Sequence, residues 1–147
     1  MQYNIVILSG GFDPPHVGHV RMIRHAAELA DIVIVGVNSD AWLKRKKGYV
    51  FMPWPERSEM VSSIKGVSEA VAFNDEDNTA SDLIIKIKKQ FPDLNIAFGN
   101  GGDRTNNNTP EMKVCGNLGV DMIWGIGGEE KAQSSSTLVE NARKNEG

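Results

Sequence analysis

Tyr3-Asn4-Ile5-Val6-Ile7-Leu8-Ser9-Gly10-Gly11-Phe12-Asp13-Pro14-Pro15-His16-Val17-Gly18-His19 opens the chain with an apolar run, a glycine pair and two closely spaced histidines. The apolar run reads as a β-strand. Gly10 and Gly11 directly after it let the backbone come close to a ligand. His16 and His19, three apart, share one side of the first turn of a following helix. Unpaired N–H groups at such a helix start already favour an anion. Two imidazoles added there make a cradle for phosphates, and Gly18 between them leaves room for a flat ring or ribose on the backbone. Simpler readings exist for each histidine: a surface residue, a helix cap, or half of a zinc site. The zinc reading lacks partners, because the one other histidine is His25, on the same helix, and the one cysteine is Cys115. A chance H-x-G-H in a chain of this length arises on the order of once in a few hundred sequences.

Beyond this stretch, β-rich runs alternate with helical patterns. Ile32-Val33-Ile34-Val35-Gly36-Val37 is nearly all β-branched and reads as a strand buried on both faces. Weaker strand candidates are 70–73, 95–98 and 121–126. Val20, Ile23 and Ala27 line one face of a helix from about Gly18 to Ala30. Leu83, Ile84, Ile87 and Phe91 do the same from about Ser81 to Gln90, with Pro92 as the stop. Pro55 and Pro110 each open a shorter helix, at a position that needs no backbone donor. Ser134 to Lys144 reads as a last helix. The β-α alternation predicts an α/β fold, a doubly wound sheet of about five parallel strands with helices on both faces. Ser39 to Trp54 and Gly99 to Thr109 read as long loops, and in such a sheet ligands bind where loops gather beyond the strands' carboxyl ends.

Composition bounds the rest. The 147 residues carry 16 Lys+Arg against 19 Asp+Glu, a net charge of −3, with 40% hydrophobic residues. These values exclude an intrinsically disordered chain and a polybasic nucleic-acid arm. One cysteine excludes an internal disulfide framework and fits a reducing compartment. Apolar runs such as Ile5 to Leu8 are far too short for a membrane span. Residues 1–147 are therefore expected to form a single soluble, cytoplasmic domain with no nucleic-acid or membrane partner.

The segment G-x-F-D-x-x-H-x-G-H, Gly10 to His19, resembles the signature of the H-x-G-H nucleotidylyltransferases. The resemblance continues through Asn38-Ser39-Asp40, the basic run Lys44-Arg45-Lys46-Lys47-Gly48, Pro55-Glu56-Arg57, Gly101-Gly102-Asp103 and Ser134-Ser135-Ser136-Thr137-Leu138. This series is most similar to the ADP-heptose synthase type of adenylyltransferase and to glycerol-3-phosphate cytidylyltransferases. It implies a Rossmann-like fold. It also implies transfer of CMP or AMP from CTP or ATP to a sugar-phosphate or polyol-phosphate acceptor, releasing pyrophosphate. A homodimer is compatible with it.

Residue by residue, the resemblance implies catalytic roles for His16, His19, Lys44 and Lys46. Nucleotide contacts are implied for Gly10, Gly11, Phe12, Gly18, Gly102, Asp103, Arg104, Lys131 and Ser134, Ser135, Ser136 and Thr137. Asp13 would approach the acceptor substrate or a cation, Arg57 would be structural or reach the substrate's phosphates, and Asp75-Glu76-Asp77 reads as a solvated loop. Mg²⁺ is expected to enter bound mainly to the NTP phosphates, with no dedicated protein ligands. The chain departs from its relatives at Gly11, where many carry Thr. Val139 and Glu140 stand where coenzyme-type adenylyltransferases, acting on pantetheine phosphate or NMN, place an arginine. That departure disfavours the coenzyme-type reading. A catalytically silent nucleotide-binding module, the other alternative, has no need of the intact histidines and lysines.

Overall fold

The computed structural model describes residues 1–101 and 110–126, and they form a five-stranded, wholly parallel sheet in the order β3-β2-β1-β4-β5. The strands are β1 (Tyr3–Gly10), β2 (Ala30–Val37), β3 (Glu69–Val71), β4 (Ile96–Gly101) and β5 (Asp121–Ile126). The helices are α1 (Val17–Leu29), α2 (Asp40–Lys47), α3 (Trp54–Ser62), α4 (Ser81–Gln90) and α5 (Pro110–Leu118). The expected last helix, from Ser134, lies outside the described residues. None of the described helices is long and apolar enough to cross a membrane.

Alternation along β1 sends successive side chains into two cores. Val6 and Leu8 pack with Val33 and Val35 of β2, Ile23 and Ala26 of α1, and Val61 of α3. Ile5 and Ile7 pack on the other face with Ile34, with Leu83, Ile84 and Ile87 of α4, and with Cys115 of α5. This two-faced burial is why β1 and β2 are almost continuously apolar. Gly36 in β2 is required by packing: a Cβ there would sit 2.4 Å from Leu83 Cδ2. Burial pushes the Cys115 thiol up to about 11, which leaves it an unreactive core residue.

Chain order reverses at β1, which pairs with β2 on one side and β4 on the other. The crevice at the carboxyl ends of β1 and β4 is the topological switch point, where open α/β sheets bind ligands. Gly10 ends β1 there, and its carbonyl accepts the N–H of Asn38 just beyond β2 at 2.9 Å.

Two expectations change. The predicted loop 39–54 contains α2, a helix capped by Ser39, whose Oγ accepts the Trp42 N–H, and closed by Gly48 at φ 84°. Strand β3 is only Glu69–Val71, although Phe73 just beyond it is still buried.

Candidate functional site

The switch point is lined by the residues between β1 and α1. Phe12 holds a positive φ of 52°, a conformation costly for a residue with a side chain, and is buried. Its ring atoms come within 3.2 Å of where a Cβ on Gly10 would stand, so Gly10 makes room for this turn. Phe12 also meets His19 edge-on, with ring centroids 4.5 Å apart. Its buried ring therefore supports the His19 imidazole.

His16 is the N-cap of α1. Its Nδ1 accepts the Gly18 N–H at 3.1 Å, and its own backbone N–H donates to His19 Nδ1 at 3.1 Å. The two histidines thus form a reciprocal capping box in which imidazoles replace the usual hydroxyl and carboxylate. Their rings stack with centroids 3.9 Å apart. Because both Nδ1 atoms accept hydrogen bonds, each neutral ring carries its proton on Nε2. His19 is neutral: burial, then the adjacent His16 and then Lys47 lower its pKa to about 3.

The basic run occupies the last turn of α2. Lys44, Arg45 and Lys46 are exposed, and the Lys46 ammonium sits 4.7 Å from the centre of the Trp42 ring. Lys47 is half-buried. Desolvation lowers its pKa, against the opposing pull of the Asp13 carboxylate. Lys47 is also the lysine whose charge acts on His19. In the sequence the four basic residues of this run look alike, and only burial in the fold separates Lys47 from the rest.

Asp13 and Arg57 prove to be internal ties. Asp13 is fully buried, and its carboxylate accepts the N–H groups of Phe51 at 2.7 Å and Met52 at 2.6 Å. Arg57 is also fully buried. It donates to the carbonyls of Met52, Gly11 and Asn38 and to the Asp40 carboxylate, all at 2.6–2.8 Å. These bonds hold the ends of β1 and β2 to α2 and the loop before α3, the structural one of the two roles open to Arg57. Asp75 likewise is no solvated acid. Burial disfavours its charge, but the Ser39 N–H, the Asn38 amide, the Ser39 hydroxyl and Arg45 together hold its carboxyl below the usual range. Glu76 and Asp77 are exposed.

Gly102, Asp103, Arg104, Lys131, Ser134, Ser135, Ser136 and Thr137 lie outside the described residues. Among the described residues, no group of three or more His, Cys, Asp or Glu side chains is placed to hold a metal ion. A divalent cation would find no cage of protein ligands among them.

The bifunctional protein HldE of Nitratiruptor sp. is 41% identical over 97 residues, 65% of this chain and 20% of that protein. HldE of Proteus mirabilis is 34% identical over 147 residues, 95% of this chain and 28% of that protein. The chain thus spans about a fifth to just over a quarter of the length of these curated relatives. In three dimensions, a bifunctional NMN adenylyltransferase/ADP ribose pyrophosphatase from Francisella tularensis superposes with a TM-score of 0.71 at 16% identity, covering 97% of this chain and 43% of that one. That likeness shows a shared fold. The sequence model of the cytidylyltransferase-like family matches residues 7–139, from within β1 to beyond β5, and the chain belongs to that family.

Proposed function

We propose that this domain transfers a CMP or AMP group from CTP or ATP to a small sugar-phosphate or polyol-phosphate acceptor. An acceptor phosphate oxygen forms the new bond to the α-phosphorus in line, while the bond from that phosphorus to the bridging oxygen of the leaving pyrophosphate breaks. Both reactants are anions, so the protein's work is charge neutralisation and alignment, with no covalent nucleophile.

The carrying observation is the stacked pair His16 and His19 at the N-terminus of α1, in the switch-point crevice, with both Nδ1 atoms taken up by backbone N–H groups. Each ring is thereby fixed as an Nε2–H donor, suited to phosphate oxygens on which negative charge grows. His16 serves the α-phosphate and His19 the β- and γ-phosphates. Lys44, Lys46 and Lys47, at the end of α2, supply positive charge. On the β4 side, Gly102, Asp103 and Arg104 line the nucleotide, and Lys131 with Ser134 to Thr137 holds its terminal phosphates. Mg²⁺ arrives as the NTP complex.

The test is pyrophosphate release with Mg²⁺, crossing CTP and ATP against glycerol 3-phosphate, heptose 1-phosphate and hexose 1-phosphates. Release that depends on both one NTP and one acceptor is the expected result. NTP binding without release for any pair would overturn the reading.

A further inference from the structure

Trp42 stands beside the site with no part in the reaction described so far. It is the third residue of α2, and its backbone N–H is tied to the Ser39 cap. The indole is half-buried and reaches across to the β1–α1 segment: its Cζ3 lies 3.3 Å from where a Cβ on Gly11 would be. Lys46, one helical turn on, holds its ammonium 4.7 Å from the ring centre. Gly11 leaves the space beside the crevice to this ring, and the ring brings an apolar surface with a cation against it.

Topology assigns the surface a side. β2, whose chain leads into α2, flanks β1 on the side away from β4. A substrate entering the crevice from the β2 side would meet Trp42. Sugars and polyols carry patches of C–H groups that pack on an indole, and a phosphate on the same molecule suits an adjacent ammonium. We propose that Trp42 is the acceptor-specificity residue: its indole, steadied by Lys46, packs against the carbon skeleton of a phosphorylated sugar or polyol. This rests on the nucleotidyl-transfer reading above.

The test uses the full chain labelled with 5-fluorotryptophan, whose three tryptophans give three ¹⁹F resonances, with Trp42→Phe identifying the relevant one. Because Lys46 lies against the ring, any phosphate can move the Trp42 resonance, so the esters are read against inorganic phosphate: glycerol 3-phosphate and glucose 1-phosphate should shift it further than phosphate at equal concentration. A shift no larger than that of phosphate, with or without saturating nucleotide, overturns the proposal whether or not the protein turns over. In steady-state kinetics, Trp42→Ser should raise the acceptor KM at least tenfold and change the NTP KM less than threefold. Trp42→Phe should return the acceptor KM to within threefold of the original. A rise confined to the NTP KM would mean that the ring stacks on a nucleobase, and would overturn it as well. Wild-type protein that releases no pyrophosphate defeats the nucleotidyl-transfer reading alone, since the resonance still reports on Trp42.

Discussion

The His16 and His19 rings lie stacked with their centroids 3.9 Å apart, and the backbone N–H of the first is bound by Nδ1 of the second. Two cations at this separation repel strongly. At most one of the two rings carries a charge, and burial with its neighbours' charge keeps His19 the neutral one.

The first prediction concerns that proton. With its pKa lowered to about 3, His19 should show no imidazole titration by NMR between pH 8 and 4.5 in the free protein. Lys47→Gln should raise its pKa. The unfolded chain, with a histidine pKa near 6.5, binds more protons than the folded one in the interval between the two values. The His19 contribution to stability is thus complete above about pH 6.5 and is lost as pH falls toward 3. Urea midpoints across that range should fall more steeply for the wild type than for His19→Asn, whose side-chain oxygen can still accept the His16 N–H.

A second pair of variants separates capping from chemistry at His16. Ala removes both the acceptor for the Gly18 N–H and the ring, and should cost about 1 kcal/mol of stability and roughly a hundredfold or more in kcat. Asn keeps an acceptor at the N-cap and should restore most of the stability but not the rate. Urea denaturation and pyrophosphate release on the same samples check both halves. Turnover within a few-fold of wild type in His16→Ala would refute the assigned role.

Much of this was legible in the sequence, for physical reasons that also mark where legibility stopped. β1, β2 and α4 bury apolar residues at a regular period, so their existence could be read directly. α2 has no apolar stripe: Leu43 is its one buried residue amid Lys, Arg and Asp. Only its ends, Ser39 and Gly48, announce a helix. Asp75 looked like its neighbours Glu76 and Asp77 because its partners Asn38 and Ser39 are more than thirty positions away. Asp13 and Arg57 sit in the resemblance's motifs, and their fully buried hydrogen bonds show that residues within a motif can serve the frame of a site as well as its surface.

The third prediction follows from that frame. Arg57→Met keeps the stem of the side chain but strips donors from the carbonyls of Gly11, Asn38 and Met52 and leaves Asp40 without its ion pair. The loss should be about 1–3 kcal/mol for the buried carbonyls left without a donor, since the partly exposed Asp40 can turn to water. Arg57→Lys keeps the charge but cannot reach four acceptors, so it should recover only part. In folded fractions of either variant kcat should fall, because the Gly11 carbonyl is no longer anchored.

Asp13→Ala should also destabilise, by about 2–4 kcal/mol, since the Phe51 and Met52 N–H groups would lose a buried ionised acceptor. Hydrogen exchange should speed up first at those two amides. Unchanged protection there would contradict the tie.

Gly11 offers a sharp test of the packing between the β1–α1 segment and α2. A threonine Cβ at this position would lie 3.1 Å from Leu43 Cδ2 and 3.3 Å from Trp42 Cζ3, both tighter than ordinary contact. Leu43 is fully buried and has no room to retreat, whereas the half-buried Trp42 ring can turn outward. Gly11→Thr should therefore cost about 1–3 kcal/mol through overpacking and should displace the indole. Adding Trp42→Ser should return part of that loss. Side chains in contact do not add, so a double-mutant cycle on urea stability should give a coupling of at least about 0.5 kcal/mol between the two sites. Strict additivity would mean that Leu43 alone carries the clash and that the ring does not sense position 11.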